Sequence, residues 1–345
     1  MPIVDSLFNI CIIHGMRRTV FLITAIFLAC GQSPEARAKM ILNAGLEDDS
    51  PVVRISAARG LSRAGDMRGI ELLQEMLTNN DPMVQSLALE SLLEHGQSTI
   101  DLSVIAGLCR STDASVRETA YRFVAVTDDT SAKDILIQGT SDGSAKVRGI
   151  AFKGLGKNKA NDLVQSGLQD PDPLVRIAAA QTLGESGAGG MAEFIKEELK
   201  KLAPNTLGAG VIAFAELGDT AALPLLRTLL QESAGELRVD IAEALLIMYD
   251  TMAIDALRAA FRSNDPFVRM HAVAVLKRHD VPGLNAELVA AAHDEYTNVA
   301  LEAVQVLAER DGENQRELFV ELMDAQNPLL RIAGAAAFLG SRDGP

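Results

Sequence analysis

The residues whose types could do chemistry are few: five histidines, three cysteines and some acidic or glycine-rich clusters. The histidines are His14, His95, His271, His279 and His293, and no two form His-Glu-x-x-His or the i, i+4 pair that a metal site on one helix face needs. His95 and His279 stand where a helix should close, which suits an imidazolium beside the helix dipole. Gly-Glu-Ser-Gly-Ala-Gly-Gly at 184–190 has the composition of a phosphate cradle. No strand pattern precedes it and no Lys-Ser or Lys-Thr follows, so it reads as a turn, and Gly154–Asn158 fails on the same grounds. The pairs Asp128/Asp129 and Asp170/Asp172 do not have the spacing of a calcium loop and read as caps and solvated turns. No Gly-x-Ser-x-Gly elbow occurs. Cys11, Cys30 and Cys109 make neither a disulfide framework nor a Cys-x-x-Cys zinc pair, and Cys109 lies in an apolar helical stretch as a buried thiol. The expectation is a non-enzyme without metal or cofactor.

The elements that would have to position any site come from an internal repeat. One phrase returns along the chain: a capping residue, often Pro, any residue, Val, Arg, two residues, Ala. It starts at Ser50, Asp81, Asp113, Ser144, Asp172 and Asp265, with weaker copies at Tyr296 and Asn327. The valine-equivalent positions are 53, 84, 116, 147, 175, 237, 268, 299 and 330, mostly 31 or 32 apart. The gap between 175 and 237 holds two periods, and the stretch from Leu207 fills it with Ala209 in the valine slot.

The phrase has physical reasons. Asp, Ser or Asn caps the first free N–H groups of a helix. Pro at the first helical position loses nothing by lacking an N–H. Val53, Ala57 and Leu61 fall on one helical face. Glycines at 65, 96, 156 and 184 suit left-handed helix ends. A second amphipathic segment, such as 69–77, completes a two-helix unit of about 31 residues. The predicted fold is all-α: a solenoid of about ten helical-hairpin repeats over 33–345, made of one lone second helix, nine pairs and one lone first helix. An uncapped last helix would leave an apolar flank exposed and invite end-to-end self-association. The repeated arginines Arg54, Arg117, Arg148, Arg176, Arg238, Arg269 and Arg331 are either an anion-binding ladder or structural bonds to caps and loop carbonyls of adjacent repeats, and their regularity favours the structural role.

Asp-Pro-x-Val-Arg-x-x-Ala followed by Leu-Gly resembles the short HEAT-like repeats found in phycobilisome lyases, over nearly all of 33–345. The resemblance implies an α-solenoid and says little about function, because such arrays serve unrelated roles. It leaves a lyase-like or maturation accessory factor as an alternative. The HEAT-like iron hydroxylases use His-Glu pairs, and no His-Glu dipeptide occurs in this chain.

Residues 16–32, M-R-R-T-V-F-L-I-T-A-I-F-L-A-C-G-Q, are unlike anything that follows. The apolar run is too short to span a bilayer as a helix. A charged start, a short apolar stretch and a small residue before a cleavage point describe a secretory signal. Phe27-Leu28-Ala29-Cys30 resembles a bacterial lipobox, departing from it at Phe27 and Leu28. The resemblance implies a signal over 1–29, lipidation at Cys30, a tether at 30–32 and anchoring by more than one acyl chain. Gly31, in place of Asp, implies the outer membrane on its periplasmic side; the alternative is a soluble periplasmic or secreted protein. Met16 is the expected initiator, with residues 1–15 upstream of the true start.

Net charge is −14 and aromatic residues are 4% of the chain, with no Trp. Such an acidic surface repels a phosphate backbone, which excludes nucleic acid as a partner. The functional expectation is a non-catalytic, lipid-anchored scaffold of the bacterial envelope that binds a protein on its concave face, with a self-stacking structural element as a further alternative.

Overall fold

Each copy of the phrase starts a helix as its residues dictate. Asp113, Asp172, Asp265 and Asn327 accept hydrogen bonds from first-turn N–H groups, and Asp81 accepts from the Met83 N–H. Ser50 and Ser144 make no such side-chain bond; instead Asp48 and Asp142, two residues upstream, accept from their N–H groups. The computed structural model describes residues 33–95, 100–127 and 131–341. The expected signal (1–29), Met16, the tether 30–32 with Cys30, and Gly96, Asp128 and Asp129 lie outside the described residues, as does the side chain of His95.

The described residues hold twenty α-helices and no strand. The phrase helices are α2 (Pro51–Arg63), α4 (Pro82–His95), α6 (Ala114–Val126), α8 (Ala145–Lys157), α10 (Pro173–Glu185), α12 (Pro204–Glu216), α14 (Gly235–Ile247), α16 (Pro266–Arg278), α18 (Thr297–Asp311) and α20 (Pro328–Gly340). Between them run α1 (Pro34–Leu46), α3 (Met67–Met76), α5 (Leu102–Leu108), α7 (Ala132–Gly139), α9 (Asn161–Val164), α11 (Met191–Leu199), α13 (Ala222–Glu232), α15 (Met252–Phe261), α17 (Asn285–Ala291) and α19 (Arg316–Leu322). The even helices pack side by side as an inner wall, and each odd helix sits outside, wedged against its even neighbours. Alanine at the fourth residue after the valine lets the inner helices approach closely: Ala57, Ala88, Ala120, Ala151, Ala179, Ala272 and Ala303 are all fully buried.

Two sequence expectations need correction. α12 begins at Pro204, so Thr206, not Ala209, occupies the valine slot, 31 residues from both Val175 and Leu237. Thr206 lacks the apolar body the pattern asks for, which hid the register. The three described glycines, Gly65, Gly156 and Gly184, divide between two roles. Gly65 has φ +78°, and the same place in other repeats holds Lys159 (φ +55°), Gly187 (+92°), Gly218 (+69°) and Tyr249 (+58°). Gly156 and Gly184 sit three residues earlier, inside α8 and α10. A Cβ on Gly156 would lie 1.9 Å from Thr182 Cγ2, so packing between inner helices requires glycine there.

The solenoid closes. α20 packs on both α1 and α2, although nearly the whole chain separates them. A Cβ on Gly45 would come within 2.7 Å of Ala57 Cβ and 3.0 Å of Ile332 Cδ1, and one on Gly60 within 2.7 Å of Ala336 Cβ. Arg37 at the start of α1 bonds Asp324 after α19. The lone helices of the sequence are two halves of one hairpin, so the expected bare flank of the last helix is covered: Ile332, Ala335, Ala337, Phe338 and Leu339 are buried. The premise for end-to-end stacking through uncapped termini is therefore overturned. Core residues form two arcs that meet at α2 and α10, and the seam lies within one of them. Each fully buried Leu, Ile or Phe along these arcs contributes about 1.5–3 kcal/mol.

Candidate functional site in the ring lumen

The arginine ladder lies between the loops, away from the lumen. Arg117 donates to both oxygens of Asp142 at 2.8 and 2.9 Å and to the Ser111 and Thr112 carbonyls. Arg148 does the same with Asp170 and the Asp142 carbonyl, and Arg269 with Asp294 and the Ser263 carbonyl. Each guanidinium thus ties its own loop to the next. Arg176 reaches Glu198 instead, while among the described residues Arg238 and Arg331 hold only carbonyls. Arg54 Nε is buried without a partner among the described residues, and Asn79 stands at the place in the repeat where Asp142 and Asp294 pair with Arg117 and Arg269.

The polar residues that meet in space lie elsewhere, at the sixth and tenth positions after the phrase valine. These are an i, i+4 pair on the face of each inner helix that looks into the lumen. α2 contributes Arg59 and Arg63, α4 Glu90 and Glu94, α10 Gln181 and Glu185, and α18 Gln305 and Glu309. No catalytic or metal motif marks this cluster in the sequence; its signal is the run of polar residues at these two positions of the repeat.

Glu94 is the hub. It receives Lys277 at 3.2 Å from α16, Gln305 at 3.3 Å from α18, Arg63 at 3.1 Å from α2, and an ion contact from Arg59 at 3.6 Å. α4 and α16 stand four places apart around the ring, so these contacts bridge the lumen. Burial pushes the Glu94 carboxyl up, and the charges of Arg59, Lys277 and Arg63 outweigh it and hold the group below the usual range. Arg63 also reaches Glu309 at 3.0 Å, passing over α20.

A second group lines the opposite arc. Glu243 is 2% exposed and accepts two bonds from Arg278, at 2.7 and 2.6 Å, with His279 Nε2 at 2.9 Å. Burial raises its pKa and Arg278 more than offsets this. Gln181 donates to Glu185 and Glu216. Glu216 is raised by burial and by nearby Glu185 and Glu243, against the opposing charge of Lys153. His271 bridges α16 to Asp240 at 2.7 Å, and the Asp240 bond raises its pKa. Burial pushes the Cys109 thiol up to about 12, leaving it protonated. No group of three or more metal-binding side chains gathers among the described residues. No helix among them is long and apolar enough to cross a membrane.

A model of HEAT repeats matches residues 23–93, 40–125, 134–202 and 192–277. The chain belongs to the HEAT-repeat family. Among solved structures this HEAT-repeat ring is similar to the CpcE–CpcF complex of phycocyanin lyase from Nostoc sp. PCC7120, at 21% identity and a TM-score of 0.43, covering 70% of this chain and 95% of that one. It is also similar to human deoxyhypusine hydroxylase (17% identity, TM-score 0.36, 72% and 97% covered) and to a mutant of Kap121p (13%, 0.36, 88% and 37%). These likenesses are of helical repeats, and no activity is taken from them. No curated protein matches the chain in sequence.

Proposed function

We propose that this HEAT-repeat ring is a non-catalytic scaffold that captures a protein partner on its rim. The observation that carries the reading is Tyr249. It stands just beyond α14 at φ +58°, where sibling repeats place Gly65, Gly187, Gly218 and the flexible Lys159, and this bulky residue is 94% exposed. A left-handed non-glycine residue costs about 1 kcal/mol, and Tyr249, almost wholly exposed, gains no burial in the ring to set against it. Tyrosine supplies large contact area with few rotatable bonds, the property of residues that dominate binding surfaces. The concave surface expected from an open solenoid is the wall of a lumen crossed by the Glu94 bridges, so the rim is the surface with room for an extended partner.

Two results test this. Tyr249→Gly should raise stability by about 0.5–1 kcal/mol in urea unfolding, because strain is released. A photo-crosslinking phenylalanine at position 249 should give one adduct of defined mass in intact cells, absent when placed at Glu232. Destabilisation by the glycine, or no adduct at 249, counts against the reading.

We further propose anchoring at Cys30, supported by residues 16–30 alone. Mass spectrometry of the mature amino terminus, with and without globomycin, decides it: an unmodified start or one elsewhere removes the anchor and the envelope location with it.

A further inference from the structure

The inner wall is interrupted at one place. Where α2 projects Arg59 and Arg63 and α18 projects Gln305 and Glu309, α20 has Ala336 and Gly340. The missing side chains leave a notch of about 700 Å³ between α18 and α2, with an apolar floor of Ile332, Ala336 and Ala337. That volume lies in the range of sites that bury a small organic molecule.

Its polar groups are unevenly committed. Four carboxylates line it, and three already hold donors: Glu94 has Lys277, Arg63 and Gln305, Glu309 has Arg63 and Gln305, and Asp311 has Asn314 and Gln315, while Glu313 is exposed to solvent. The guanidiniums have donors left over. Arg59 touches Glu94 only as a 3.6 Å ion contact, with no hydrogen bond among the described residues. Arg63 serves Glu94 and Glu309 through the same nitrogen, Nη2. Planar guanidinium forks with free N–H groups above an apolar floor match one chemistry, a carboxylate on an apolar body. We propose that the notch binds a small organic acid, its carboxylate on Arg59 and Arg63 and its apolar chain along α20.

Calorimetry on the full chain with octanoate, octylamine and octanol tests this. Octanoate should bind saturably at one site per chain, with the amine and the alcohol weaker by about tenfold or more. Arg59→Met should lower octanoate affinity by about tenfold in a ring that still unfolds cooperatively, since Arg59 contributes no hydrogen bond to the fold among the described residues and Lys277, Arg63 and Gln305 still hold Glu94. Gly340→Phe should abolish binding in a folded ring, because a Cβ on Gly340 meets nothing within 4 Å among the described residues and the phenyl group would fill the notch. Equal binding of all three compounds, no saturation by octanoate to about 10 mM, or full affinity in Gly340→Phe would overturn the proposal.

Discussion

The wall of α6, α8 and α10 and the seam of α20, α1 and α2 solve the same packing problem differently. Along the first, Arg117 and Arg148 each grip a carboxylate in the next loop, and Asp142 and Asp170 also hold a backbone N–H of their own turn. At the seam the ladder lapses: among the described residues Arg331 has carbonyls only and Arg54 Nε has no partner. Small residues replace it, with Gly45 and Gly60 letting Ile332 and Ala336 seat closely. Where the chain is continuous, charge sets the spacing of loops. Where the chain must find its own far end, apolar interdigitation does most of the holding, with Arg37–Asp324 and Arg63–Glu309 as the charged bonds that cross it.

The largest expected effect comes from removing one side of the seam. Truncation after Gln326 bares the faces of α1, α2 and α18, and small-angle scattering should show an opened, larger or associating particle. An unchanged radius would mean that the seam holds nothing. Ile332→Ala, inside the seam, should cost about 2–4 kcal/mol in urea unfolding. Asp142→Ala should cost about 2–3 kcal/mol, since it strands Arg117 and the Ser144 N–H together, whereas Arg331→Ala at the seam should cost about 1 kcal/mol. Equal losses for those two would erase the proposed difference between the regions.

Acid offers the smallest and most regional effect. Asp142 and Asp294 are held below the usual range by Arg117 and Arg269. A carboxyl with a lowered folded pKa stabilises above its unfolded value and loses that contribution as pH falls through the folded one. Hydrogen exchange should therefore show the loops after α7 and α17 loosening below about pH 4 before the seam does. His271 works in the opposite sense: its folded pKa is raised, so its bond to Asp240 contributes fully at low pH and fades as pH rises through that value.

Much of the fold was readable from sequence because the phrase encodes helix starts locally: a cap, Pro51 or Pro173, Val53 or Val175. The register failed only at Thr206, where a polar residue fills an apolar slot. Glycine identity did not reveal that Gly65 serves the backbone while Gly156 serves packing against Thr182, since that depends on how close two helices come. Closure was illegible for a deeper reason. It depends on the small rotation from each repeat to the next, summed over ten repeats, and no single motif encodes that angle. The lumen network was legible in principle as polar pairs at Arg59/Arg63, Glu90/Glu94 and Gln305/Glu309, although nothing in the sequence says that Glu94 and Lys277 face each other.

The seam changes how the ring comes apart. An open array of repeats frays from its two terminal units, which have one neighbour instead of two. Here α1 and α20 each have neighbours on both sides, so the array obeys a periodic boundary and no unit is terminal. Local melting must begin by breaking two interfaces at once. The place where it does so is set by the weakest pair of contacts anywhere on the circle, independent of distance from either end of the chain.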